Sequence, residues 1–117
     1  MVAPNAVDIS NWSGPLTLAV AQAWKADGVE LVIIGCSVPA TSVQQAQVCV
    51  AAGLKFHLYI YLTYSADVTT QVALALSVGS QFPQAVPDVI WLDAEDETGS
   101  LTVDQRIAQH VRARNMV

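Results

Sequence analysis

Four acids stand within five positions at the end of an apolar run: Asp93, Glu95, Asp96 and Glu97 follow Val89, Ile90, Trp91 and Leu92. Another acid, Asp8, sits in the short apolar stretch Ala6–Ser10 near the start. Residues two apart on a strand share a face, with Cα atoms about 6.5 Å apart. Carboxyl groups at that spacing suit glycosidic bond cleavage, in which a protonated acid works with a second group across the bond. Mutual repulsion, with partial burial beside Trp91, raises the cost of the second charge and keeps one acid protonated near neutral pH. Asp93 and Glu95 are thus expected to face inward, and Asp96 and Glu97 to belong to a solvated loop. The same oxygen cluster suits Mg²⁺ or Ca²⁺, although no EF-hand or P-loop pattern accompanies it. Trp12, Tyr59, Tyr61 and Trp91 offer flat rings that either stack on sugars or pack against neighbours.

The elements that must position these groups alternate between two patterns. Ala6–Ser10 reads as a strand, and Leu16–Asp27 as a helix closed by Gly28. Glu30–Cys36 is a near-continuous apolar strand. Thr41, with Gln44 three residues on, predicts a capping box for a second helix that Gly53 ends. Lys55–Leu62 is rich in aromatic and branched residues and predicts a third strand. Ser65 or Asp67 caps a third helix reaching about Ser77, with Gly79 beyond. Asp88–Asp93 is the fourth strand, and Thr102 with Gln105 opens a fourth helix. Strands joined by crossover helices demand a parallel sheet. No linker or second domain is visible, so residues 1–117 are expected to form one (β/α)₄ domain.

Three of these strands pair an apolar face with one bearing polar or aromatic groups. Asp8 lies with Ala6 and Ser10, opposite Val7 and Ile9. His57, Tyr59 and Tyr61 oppose Phe56, Leu58 and Ile60, and Trp91, Asp93 and Glu95 oppose Ile90, Leu92 and Ala94. That division suits half of a TIM-like barrel, with helices outside and a lumen within. An open sheet with helices on both faces is the alternative. A closed (β/α)₈ barrel takes roughly 250 residues, about twice this chain, so a second copy is expected to complete it as a homodimer.

The totals exclude other classes. Apolar residues make up 53% of the 117 and charged residues 13%, which predicts a packed core rather than disorder. The net charge of −5 and five scattered Lys and Arg residues argue against a nucleic-acid partner. No run approaches the roughly 18 apolar residues of a membrane span, and no signal peptide is visible at the N-terminus. Cys36 and Cys49 match no zinc spacing and read as small buried side chains. No serine nucleophile with elbow glycines is present.

The residues that face one another in this reading resemble the glycoside hydrolase family 25 lysozymes. Asp8-Ile-Ser-Asn-Trp12, followed by Gly14, is similar to the opening strand of that family. Leu31–Ile34 resembles its second strand, and Ala51–Leu54 with the strand bearing Tyr59 its third unit. Leu92-Asp-Ala-Glu95 resembles its D-x-E motif. The resemblance implies a (β/α) barrel fold and N-acetylmuramidase activity on bacterial peptidoglycan, at the cell wall or outside the cell, with no cofactor. By it, Glu95 matches the general acid, Asp93 the carboxylate that assists at the anomeric centre, and Asp8 a further pocket acid. Tyr59 matches a pocket aromatic. The later strands and a further acid of the family are missing, and Gly35 stands where a basic residue is common. Half of the pocket wall is then absent, which implies turnover that is weak or lost.

Overall fold

The computed structural model describes residues 6–63, 67–83, 90–94 and 102–115. It is an α/β structure with a four-stranded, all-parallel sheet in the order β1-β2-β3-β4. The strands are β1 (Ala6–Ile9), β2 (Leu31–Gly35), β3 (Lys55–Tyr61) and β4 (Ile90–Asp93). They alternate with α1 (Leu18–Ala26), α2 (Pro39–Ala52), α3 (Val68–Gly79) and α4 (Val103–Arg114). A 3₁₀ turn at Asn11–Ser13 follows β1.

Sequential parallel strands joined by crossovers of one hand place α1, α2 and α3 on the same side of the sheet, and α4 packs beside α3 with Ala113 in the same core. The burial pattern agrees. Ile9, Val32, Ile34, Phe56, Leu58 and Ile60 are buried, and Val7, Ile90 and Leu92 pack against them. Val68, Val72, Ala75 and Val78 of α3 and Ala46 and Cys49 of α2 complete this core. Each fully buried Leu, Ile or Val contributes about 1.5–3 kcal/mol, so this one face supplies most of the driving force. The opposite face is different. Ala6, Asp8, Lys55, Tyr61 and Trp91 are exposed on it, and Leu31, Ile33, His57, Tyr59 and Asp93 are half-buried. The division of faces is the one expected from alternation. A doubly wound sheet would bury both faces, so the alternative with helices on either side does not hold. Among the described residues β1 and β4 each keep one unpaired edge.

Most helix boundaries follow their caps. The Thr17 hydroxyl accepts from Val20 N at the start of α1. Asp67, rather than Ser65, caps α3 by accepting from Thr69 N at 2.9 Å; Ser65 itself lies outside the described residues. Thr102 and Gln105 form the expected capping box on α4. Gly53 ends α2 with φ of 74°, a left-handed conformation that suits glycine. Two expectations need correction. The second helix starts at Pro39, two residues before Thr41, with no side-chain cap. Proline at the first helical position has its φ preset and lacks the N–H that a cap would satisfy. Gly79 lies inside α3, buried against Leu58, and Ser80 is the C-cap. No helix among the described residues is long and apolar enough to cross a membrane.

Candidate functional site

The C-terminal ends of the four strands carry Ser10, Cys36, Leu62 and Ala94, and the candidate residues lie just before them on the uncovered face. Asp8 is on β1, Tyr59 and Tyr61 on β3, and Trp91 and Asp93 on β4. The register places Tyr59 between Gly35 and Trp91, and Tyr61 beside Asp93. Asp8 lies in the row of Ile33 and His57. The sheet therefore brings Asp8, Tyr59, Tyr61, Trp91 and Asp93 to one face. Glu95 and its neighbours Asp96 and Glu97 lie outside the described residues. Trp12 is carried on the 3₁₀ turn beyond β1 and is 91% exposed.

Tyr59 is the centre of this arrangement. Its ring lies across Gly35: a Cβ added there would meet the Tyr59 Cζ at 2.7 Å and the hydroxyl oxygen at 2.8 Å. A methyl group there would have to displace the outer end of the ring. The phenol is held above its ordinary pKa, first by burial and then by the negative charge of Asp8. Asp93 adds to that effect, while hydrogen bonding to the Ser10 side chain opposes it. Carboxylates from the first and the fourth strand thus act on a single hydroxyl. Such a phenol stays protonated and can donate to a ligand oxygen.

A second feature lies one layer deeper. The Trp91 indole Nε1–H donates to His57 Nδ1 at 3.2 Å, with ring centroids 6.3 Å apart. Trp91 remains half exposed, so its other surface is open.

Three glutamines hold the loops around the site. Gln45, wholly buried on α2, donates through Nε2 to the carbonyls of Ser10 and Gly14, both at 2.9 Å. Gln44 accepts from Leu16 N and donates to Leu16 O. Gln71 does the same for Thr63 beyond β3, accepting from its N at 2.7 Å and donating to its O at 2.9 Å. A neutral amide both donates and accepts, so it can bond a whole peptide unit without burying charge. Gln44 was expected to close a capping box and instead serves this purpose. A signal for Gln45 was present in the sequence: Ser42, Gln45, Ala46 and Cys49 fall at helical spacing on one buried face. A polar residue in such a stripe marks a buried hydrogen bond. Ser10 and Gly35, which bed the Tyr59 ring, have no local signature, because their roles depend on cross-strand neighbours.

The two cysteines are not nucleophiles, although Cys36 donates its backbone N–H to the Tyr59 carbonyl. Both are free and buried. Burial pushes the Cys36 thiol up to about 12 and the Cys49 thiol up to about 11. Neither forms an appreciable nucleophilic thiolate at neutral pH. Trp24 packs against the core.

No protein-family model, curated protein or solved structure matches this chain.

Proposed function

We propose that this chain is a half-barrel relative of the family 25 muramidases that grips bacterial cell-wall glycan on its uncovered sheet face. The observation that carries the reading is that the sheet register brings Asp8, Tyr59 and Asp93 to one face near the C-terminal strand ends, where both carboxylates help to hold the phenol above its ordinary pKa. That end of a parallel α/β sheet is where such folds bind and react. The exposed rings of Trp12, Tyr61 and Trp91 add flat apolar surface suited to sugar faces. In this reading Glu95 is the general acid, Asp93 assists at the anomeric centre, and Asp8 lines the same pocket.

The free edges of β1 and β4 and the uncovered apolar surface favour a second copy as partner. Two chains related by a twofold axis would then surround one lumen. The isolated chain has only half of the pocket wall, so it binds glycan with weak turnover or none. Catalysis requires the scissile bond held to within about an ångström of its productive position relative to the acid, and an open face does not provide that hold. The second reading, a binding or scaffold unit without catalysis, draws on this openness.

The test combines cell-wall binding, cell-wall clearing and light scattering over a range of protein concentrations. Binding is expected throughout, with clearing confined to concentrations at which the mass doubles. Glu95→Gln should abolish clearing and leave binding intact. Clearing unchanged by Glu95→Gln would remove the assigned acid, and absence of binding to peptidoglycan would remove the whole reading.

A further inference from the structure

We infer that His57 is a positioning residue for Trp91 and that a proton on its imidazole releases the indole. The inference rests on the glycan reading and deepens it, because Trp91 pairs with Tyr59 on the uncovered face and stands two residues before Asp93 on β4. The indole nitrogen can only donate, so the 3.2 Å contact requires Nδ1 of His57 to be an unprotonated acceptor. The neutral imidazole then carries its proton on Nε2. When Nδ1 takes a proton from solvent, two donors face each other and the hydrogen bond is lost. The ring geometry does not compensate. Centroids 6.3 Å apart with planes tilted by 36° leave the imidazolium beside the indole rather than over its face.

The surroundings define what else acts on His57. On the same face, β1 contributes Asp8, which lies beyond Ile33 in the same row. From β2 the neighbours are Leu31 and Ile33, which carry no charge. On β3 itself Lys55 stands two residues before His57 and Tyr59 two residues after. From β4 the charged group is Asp93, two residues beyond Trp91. Trp91 pairs directly with Tyr59, so the His57 contact is the diagonal one that fixes the indole's tilt along the sheet. A released indole no longer presents a fixed plane, and glycan affinity falls on acidification.

Asparagine places a carbonyl oxygen near the Nδ1 position and does not titrate. His57→Asn therefore separates positioning from protonation. The probes are the Trp91 indole N–H resonance, assigned by its loss in Trp91→Phe, and affinity for a soluble chitin oligosaccharide. In the unaltered protein the resonance should move through one transition as pH falls. Affinity should drop about threefold to tenfold, the worth of one hydrogen bond. In His57→Asn the resonance should stay fixed and the affinity hold across the same range. In His57→Phe, which lacks an acceptor, the weak state should appear at every pH. A Trp91 resonance that ignores pH in the unaltered protein, or one that titrates equally in His57→Asn, overturns the inference. An intact indole titration without oligosaccharide binding at any pH supports the His57–Trp91 switch and removes the glycan reading alone.

Discussion

Gln45→Glu tests how the loop bearing Ser10 and Trp12 is held to the fold. The change is isosteric, so packing is unaltered and only the hydrogen-bonding chemistry differs. Gln45 is wholly buried, and its amide nitrogen sits 2.9 Å from each of two carbonyl oxygens. Among the described residues its own Oε1 is buried without a partner. An ionised glutamate would point a charge at two acceptors in an apolar surround, so the folded protein must keep the acid protonated. At about pH 7 that requirement costs about 1.4 kcal/mol for each pH unit above the ordinary glutamate value of ~4.3, or ~4 kcal/mol in all. The protonated acid has one donor in place of two, which adds about 1–2 kcal/mol at any pH. The total, about 5–6 kcal/mol, rivals the whole stability of a small domain. The sign follows from linkage. The introduced acid has its pKa raised by folding, so the native state suffers least below the ordinary glutamate range and loses stability as pH rises above it. Urea denaturation followed by circular dichroism, beside the unaltered protein at about pH 4 and about pH 7, measures the difference directly. Gln45→Met, which has neither donor nor charge, should lose about 2–4 kcal/mol, equally at both pH values. If Gln45→Glu loses the same amount at both, the two carbonyl contacts do not constrain the loop as described.

Other perturbations probe the neighbouring contacts. Gly35→Ala should cost about 1 kcal/mol, because the methyl group displaces only the outer end of the Tyr59 ring; a double-mutant cycle with Tyr59→Leu should recover that cost, and additive losses would contradict the contact. Asp8→Asn should bring the Tyr59 phenol closer to its ordinary pKa, read by ultraviolet titration against Tyr59→Phe, since Asp8 is one of the charges that hold it up. The raised phenol contributes stability that is complete below the ordinary tyrosine range and disappears as pH climbs past it, and an unchanged titration in Asp8→Asn would refute the assignment. Cys36 and Cys49, with thiols near 12 and 11, should resist a thiol reagent at mildly alkaline pH and both react once urea unfolds the chain. Rapid labelling of either in the folded protein would contradict their burial.

The order of elements and the two faces of each strand were legible from local patterns. LVII in β2 and the alternation of Phe56, Leu58 and Ile60 with His57, Tyr59 and Tyr61 reflect constraints met within a few residues. Caps at Asp67 and Thr102 were visible for the same reason: a side chain and the backbone N–H it accepts from are neighbours in sequence. Such contacts are encoded where they occur. The start of α2 was misplaced because Thr41 and Gln44 satisfy the capping pattern as well as Pro39 satisfies the first-turn rule. The tie was decided by Leu16, which engages the Gln44 amide from 28 residues away.

The sequence by itself determined a parallel α/β sheet, the sides of its strands and the acids placed at the strand ends. Only the tertiary structure decided that the helices share one side, which follows for α1, α2 and α3 from the strand order 1-2-3-4 and the single hand of the crossovers, and for α4 from its packing beside α3 with Ala113 in the core. It also decided that Tyr59 lies over Gly35 between the charges of Asp8 and Asp93, and that Trp91 leans on His57. Those contacts join residues 24 to 51 positions apart, and their energies depend on distances of a few tenths of an ångström across strands. Local propensity carries no information on that scale, because it concerns a residue and its immediate neighbours, whereas the site exists only where separate strands meet.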